Sequence, residues 1–165
     1  MQWQLPLLFV CENNDWQAFV PRRETMPDNA IAAWAAGHGL PVATVDGNDV
    51  EAVHEAARDA VAAIRADGRP RFLELATYRL RGHFEPDDQA YVDPAELARW
   101  QARDPLQGQA DRLLAQGMLD AEGLKQLREQ AAARIETAVA FAQASAWPDP
   151  RTLTLHVYAE QGAHS

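Results

Sequence analysis

Only one cysteine, Cys11, stands among 165 residues. No disulfide can form within the chain, which fits a reducing compartment. Cys11 sits in an apolar run with no neighbouring cation in the sequence, so it reads as a small hydrophobe rather than a nucleophile. No run of Lys and Arg offsets a net charge of −9, which argues against a nucleic-acid surface. The Arg22-Arg23 doublet reads as a solvated loop edge. No apolar run approaches membrane-spanning length, and no basic region followed by a long apolar stretch opens the chain. A soluble, cytoplasmic protein with no membrane partner is the expectation. Internal repeats, low-complexity tracts and Gly-rich phosphate loops of the Walker or dinucleotide type are all missing.

What is present is ordinary globular composition, 47% apolar and 24% charged, in a length that can bury a real core. Leu5 to Cys11 is a continuous apolar run, as in a parallel strand covered on both faces. A polar loop follows, and Pro27 opens a short helix with Ile31 and Trp34, ended by Gly37-His38-Gly39-Leu40-Pro41. Val42 to Val45 is a second strand, and Asn48 with Glu51 resembles a capping box. The next helix puts Val50, Val53, Ala57, Val61 and Ile64 on one face, and Gly68 and Pro70 stop it. Phe72 to Ala76 is the third strand. The pattern strand–helix–strand–helix–strand predicts a parallel α/β sheet flanked by helices.

The texture then changes. Gly82 to Pro94 is polar and aperiodic, the mark of a functional or mobile loop. Helices follow around Ala95 to Gln101 and Leu106 to Gln116, then a long amphipathic one from about Ala121 to Ala146, begun by Asp120 and ended by Pro148. Leu153 to Tyr158 reads as a final strand. Three segments emerge: an α/β part over 1–80, a mobile active-site loop over 81–94, and a helical C-terminal region with a final strand over 95–165.

In a parallel sheet the three strand ends, at Asn13/Asn14, Asp46 to Asn48 and Arg79 to His83, fall on one edge, where open α/β sheets bind ligands. Amide oxygens are hard ligands acceptable to Mg²⁺, and arginine forks and histidine suit phosphate oxygens. Asn13 and Asn14 can equally well just turn the chain, and His83 can equally be a loop residue facing water. A Mg²⁺–diphosphate ligand is the sharper expectation. Glu85, Asp87 and Asp88, with Pro86 among them, read as a solvated loop. His38 and His54 have no partner at metal-site spacing, and the five Trp residues read as packing.

Several pieces occur together and in order: Leu5-Pro6 through Cys11-Glu12-Asn13-Asn14, Gly39-Leu40-Pro41, Val45-Asp46-Gly47-Asn48-Asp49-Val50, Thr77-Tyr78-Arg79 with Gly82-His83, Trp100 with Asp104-Pro105, and Val157-Tyr158-Ala159. In these the chain resembles the C-terminal half of the alpha subunit of thiamine-diphosphate-dependent 2-oxo acid dehydrogenases, the decarboxylating component of pyruvate, acetoin and branched-chain complexes. The resemblance implies a thiamine-diphosphate-binding fold. It also implies oxidative decarboxylation of a 2-oxo acid, with thiamine diphosphate as electron sink and acyl transfer to a lipoyl group. It implies Mg²⁺ held by the Asn14 side chain and the Trp16 backbone carbonyl. His83 is then catalytic and over the diphosphate, with Arg79 ordering the same loop and Gly82 letting the backbone pass close to the ligand. The partners implied are a beta subunit, in a heterotetramer whose active centre lies between subunits, and the lipoyl-bearing acyltransferase of the complex. The long helix is a candidate docking surface or a cover for the sheet.

Four features depart from that pattern. The cofactor motif of the family opens with Gly-Asp-Gly roughly thirty residues before the paired Asn, one strand–helix–strand unit earlier. That segment is not in this sequence, so the charged metal ligand is absent and a lost upstream segment is expected. Trp16 stands where Tyr is usual, Phe84 where Ser or Thr often follows Gly-His, so that no phosphorylation can occur there, and Val92 where an Arg commonly follows the Tyr. The competing reading is a non-catalytic remnant or subunit-binding module, with an exposed apolar surface where the absent strands would pack. A third is an unrelated Mg²⁺-dependent diphosphate binder.

Overall fold

A computed structural model describes residues 3–26, 31–155 and 157. The chain divides into two compact units, Met1–Met118 and Leu119–Ser165.

The first unit is built on three parallel strands in the order β1–β5–β4: β1 (Leu8–Asn13), β4 (Val42–Asp46) and β5 (Arg71–Ala76). The last of the three in sequence is therefore the central one. Val10 pairs with Leu73 and Asn13 with Ala76 on one side, while Ala43 pairs with Leu73 and Asp46 with Ala76 on the other. This is the parallel α/β architecture read from the alternation of elements. β1 begins three residues later than the apolar run suggests, which leaves Leu5 and Leu7 before it. Between β1 and β4 come a two-stranded antiparallel hairpin, β2 (Trp16–Gln17) and β3 (Val20–Pro21), the short α1 (Arg22–Thr25) and α2 (Ile31–Gly37). The helix start expected at Pro27 lies outside the described residues.

Helix α3 (Val50–Asp67) joins β4 to β5 and packs on all three strands. Its N-cap is Asp49, whose carboxylate accepts from the Glu51 and Ala52 N–H groups. That is one residue beyond the expected Asn48, because Asn48 is drawn away to accept from the Thr77 hydroxyl at 2.6 Å. Gly68, at φ 70°, closes the helix in the left-handed conformation that glycine adopts without strain. Beyond β5 the chain forms a loop, then α4 (Pro94–Gln101) and α5 (Pro105–Ala115), each with an Asp N-cap and a Pro in the first turn. The Tyr78 and Trp100 rings stack at 5.2 Å, Arg103 pairs with Asp46 at 2.7 Å, and Arg112 pairs with Asp49 at 2.8 Å and Glu51 at 2.9 Å. The Arg112 guanidinium holds the Asp49 carboxyl well below the usual range. These contacts bring α4 and α5 to the carboxyl edge of the sheet, within the first unit.

The second unit contains α6 (Ala121–Ala144), capped by the Asp120 carboxylate on Gly123 N–H at 2.7 Å. Leu127, Ile135, Val139 and Phe141 on it are exposed. The final strand expected at 153–158 does not form where the chain is described. Pro150–Thr152 make a 3-10 turn and residues 153–155 continue as turns, with Leu155 N–H on Thr152 O at 3.0 Å. Asp149 starts that turn by capping Arg151 N–H, which overrides the β-propensity of Leu153 and Leu155. His156 and Tyr158 lie outside the described residues.

Among the described residues β1 pairs on one side only, and Phe9 and Val10 are 46% and 52% exposed. A run with the composition of a doubly covered strand thus lies open along one edge. Self-association through this edge is expected for the isolated chain. In sedimentation experiments a Val10→Lys substitution should shift the chain toward monomer. Unaltered association by this variant would place the contact elsewhere.

Candidate functional site

The carboxyl end of β1 is held from below by its neighbour. Asn13 is 8% exposed and its Nδ2 donates to the buried Glu74 carboxylate at 2.7 Å. The parallel ladder continues past the strands, with Thr77 N–H on Asn13 O at 2.9 Å and Arg79 N–H on Asn14 O at 3.2 Å. Two successive Asn side chains then turn the chain. Asn13 Oδ1 accepts from Asp15 N–H at 3.3 Å, and Asn14 Oδ1 accepts from Trp16 N–H at 3.0 Å. Asp15 sits at φ 67°, a conformation Asp tolerates better than most residues. The turning role and the ligand role of the paired Asn are thus not exclusive, since each amide oxygen has a second lone pair.

The turn leads into the β2–β3 hairpin, clamped at its base by Asp15 and Arg22. Arg22 Nη2 donates to Asp15 Oδ1 at 3.1 Å, and Arg22 N–H donates to Asp15 O at 2.9 Å. Arg22 is only 8% exposed, so the solvated loop edge expected for the Arg doublet holds for Arg23 alone. Arg22 lies near Cys11 and pulls its thiol pKa down, but burial foremost, with Glu74, pushes it up. Cys11 is accordingly protonated at neutral pH, in keeping with a packing role.

At the hairpin tip Ala18 has φ 48°, a strained position for a residue with a Cβ. Its carbonyl is held by Arg79 Nη2 at 2.7 Å. The same guanidinium donates to the Tyr91 hydroxyl at 2.8 Å and from Nε to Arg81 O at 3.2 Å, lies 3.4 Å from His83 Nδ1, and covers the Trp16 ring at 5.6 Å. Most of its donors are taken up by the protein, so Arg79 ties the loop to the hairpin, while Nη1 keeps an N–H with no partner among the described residues. Asp87 closes the loop. Its carboxylate accepts from His83 N–H at 2.6 Å, the Tyr91 hydroxyl at 2.7 Å and Gln89 N–H at 3.0 Å. The Tyr91 hydroxyl first, and the backbone donors after it, hold the Asp87 carboxyl below its ordinary range.

Gly82 has a packing reason that the sequence did not show. A Cβ there would lie 2.6 Å from Asp87 Cβ and 2.7 Å from its carbonyl oxygen. The His83 ring meets Phe19 edge-on at 5.5 Å, and Phe19 also meets Tyr91 at 5.5 Å and Phe84 at 6.2 Å. An open cavity of about 460 Å³ lies beside the loop, lined by Arg81, His83, Phe84, Glu85 and Gln89 among others.

The structure thus brings Asn14, Trp16, Arg79, Gly82 and His83 to one sheet edge through the hairpin. The Asp46-Gly47-Asn48 strand end is there too, but its groups are engaged in packing: Gly47 N–H bonds Ala76 O at 2.8 Å, and Asn48 Nδ2 bonds Arg103 O at 2.8 Å. Tyr91 and Glu74 were not singled out from the sequence, and Asp87, expected as a solvated loop acid, is instead engaged by three donors. Asp87 and Tyr91 sit in an aperiodic loop with no local signal of their partnership; Glu74, a carboxylate inside an apolar strand, offered one. No group of three or more His, Cys, Asp or Glu side chains among the described residues could hold a metal ion. The oxygen donors at this edge are instead a carboxamide and a main-chain carbonyl, Asp15 being paired with Arg22.

Comparison with known proteins gives the context. The family model for the dehydrogenase E1 component matches residues 1–151. The alpha subunit of acetoin:2,6-dichlorophenolindophenol oxidoreductase from Bacillus subtilis is 36% identical over 157 residues, 94% of this chain and 46% of that protein. The chloroplastic pyruvate dehydrogenase E1 component subunit alpha-3 of Arabidopsis thaliana is 34% identical over 96% of this chain and 37% of its own length. The mitochondrial 2-oxoisovalerate dehydrogenase subunit alpha of Homo sapiens is 34% identical over 97% of this chain and 36% of its own. The chain therefore spans between about a third and about half of these relatives.

Because folding lowers the Asp87 pKa, the order that this carboxylate gives the loop is present above the ordinary carboxylate range and is lost as pH falls below that range. Limited proteolysis within 81–92 should accelerate at acid pH and, at neutral pH, in Asp87→Ala and Gly82→Ala. Equal cleavage of all three proteins across that range would show that the carboxylate does not organise the loop.

Proposed function

The chain belongs to the dehydrogenase E1 component family, and we propose that it forms the cofactor-diphosphate-binding part of the alpha subunit of a 2-oxo acid dehydrogenase. The observation that carries this reading is the pairing of the β1 carboxamide turn with the His83 loop, linked by Arg79 and Phe19 at one sheet edge. Neutral oxygen donors and a nearby imidazole are the right chemistry for the uncharged portion of a Mg²⁺–diphosphate site, which normally adds a carboxylate and phosphate oxygens. The residues present fit that portion.

In this reading the Asn14 side-chain oxygen, which accepts from Trp16 N–H, and the Trp16 carbonyl would hold the metal. Thiamine diphosphate, when bound, supplies the electron sink for decarboxylation of the 2-oxo acid. Arg79 keeps the hairpin and loop in register. Asp87 holds the His83 backbone, and Phe19 holds its ring at the mouth of the loop cavity, where the imidazole can donate to a diphosphate oxygen or exchange a proton with substrate. The aminopyrimidine-activating acid comes from a beta subunit, and the acyl group passes to a lipoyl-bearing acyltransferase. The exposed strand β1 supports a second reading, a subunit-binding module without catalysis of its own.

The decisive experiment uses the native polypeptide that carries this sequence, mixed with its beta subunit, Mg²⁺, thiamine diphosphate and a panel of 2-oxo acids. Decarboxylation is expected, with Asn14→Ala raising the half-saturating cofactor concentration by about tenfold or more and His83→Ala lowering kcat. Absence of decarboxylation of every acid, together with a native mass near 18.3 kDa, would sink the enzyme reading in favour of the binding module.

A further inference from the structure

We propose that Glu74 is the positioning residue of this edge: through Asn13 it fixes the turn that presents Asn14 and Trp16. Its importance for ligand binding rests on the function proposed above, but its geometry does not. Glu74 sits on the central strand and is 5% exposed. It lies opposite Cys11 in β1 and Thr44 in β4, so Asn13, two residues beyond Cys11, shares its face of the sheet. Oε1 accepts from Asn13 Nδ2 at 2.7 Å, and Oε2 accepts from Ala32 N–H at 3.2 Å and the Thr44 hydroxyl at 3.3 Å.

A carboxylate can only accept. It therefore settles which end of the Asn13 amide faces it, and the NH₂ group must point inward. The amide oxygen is then turned outward, where it accepts from Asp15 N–H at 3.3 Å. With the amide reversed, two N–H groups would face each other at Asp15 and two oxygens at Glu74. The charge on the central strand thus sets the polarity of the first turn, which places Asp15 at φ 67° and brings Trp16 N–H onto Asn14 Oδ1. Glu74 touches neither Asn14 nor Trp16; it acts on them through Asn13.

Backbone amide exchange in the chain, followed by NMR, tests this without any cofactor. In Glu74→Met, of similar volume and without acceptors for Asn13, the Asp15 and Trp16 amides should exchange about tenfold faster, as loss of a buried hydrogen bond requires. The Leu73 and Leu75 amides should keep their wild-type rates. A second pair guards against misfolding. Asn13→Asp sets two carboxylates face to face and should free the same two amides, whereas Asn13→Asp with Glu74→Gln exchanges donor and acceptor and should restore protection. Unchanged Asp15 and Trp16 exchange in Glu74→Met, equal acceleration at Leu73, or a folded double variant with no restored protection would each overturn the inference. Binding of Mg²⁺–thiamine diphosphate by these variants separates the two claims. Freed turn amides with unaltered binding would leave Glu74 its role in the turn and remove Asn14 from the metal site.

Discussion

A charge buried at the centre of a parallel sheet has to be met by donors, and the elements beside the central strand supply them here. Glu74 recruits one donor from each neighbouring strand and one from the start of α2. Removing any of them would leave part of a carboxylate unsatisfied in a water-poor place, which is far more costly than losing a surface contact. The sheet could have been held together by leucines alone. The carboxylate adds a direction, since a parallel ladder tolerates sliding of apolar side chains but not misplacement of a hydrogen-bonded amide.

From that anchor the order passes outward by short steps. Asn13 orients the turn, the turn launches the hairpin, and the strained Ala18 at its tip is kept in place by Arg79. Arg79 in turn reaches Tyr91, and Tyr91 reaches Asp87, which holds the His83 backbone. From Ala18 onward each link is a short, charge-assisted hydrogen bond, the stronger kind. The half-buried ion pairs that attach α5, Arg112 with Asp49 and Glu51, add to this at the same edge of the sheet.

The architecture was legible because its signals are periodic. Apolar strands, a helix with a clean face and the stop signals at Gly68 and Pro70 fixed three strands and their parallel sense, and the strand-end Asn and His residues fell on one edge as a consequence. Boundaries were less legible. Asp49 displaced Asn48 as cap because Asn48 had a tertiary partner, and Asp149 turned the chain where Leu153 and Leu155 favoured a strand. The loop chemistry was not legible. Asp87 looked like one of several solvated acids until the fold placed Tyr91 and two backbone N–H groups around it, and nothing local distinguishes Arg22, buried by Asp15, from Arg23 beside it. The family pattern carried Arg79, Gly82 and His83 where spacing alone could not, but it gave Gly82 a reason different from the clash with Asp87 that the geometry shows.

The engagement of Arg79 by the loop and the hairpin has a thermodynamic consequence. A loop whose central cation is already shared among a backbone carbonyl, a phenol and an indole face has lost its conformational entropy on folding rather than on meeting a ligand. A ligand entering beside His83 would find the surface largely ready. Its binding would then show a small heat-capacity change, set by the ligand's own buried area and not by the folding of a segment onto it.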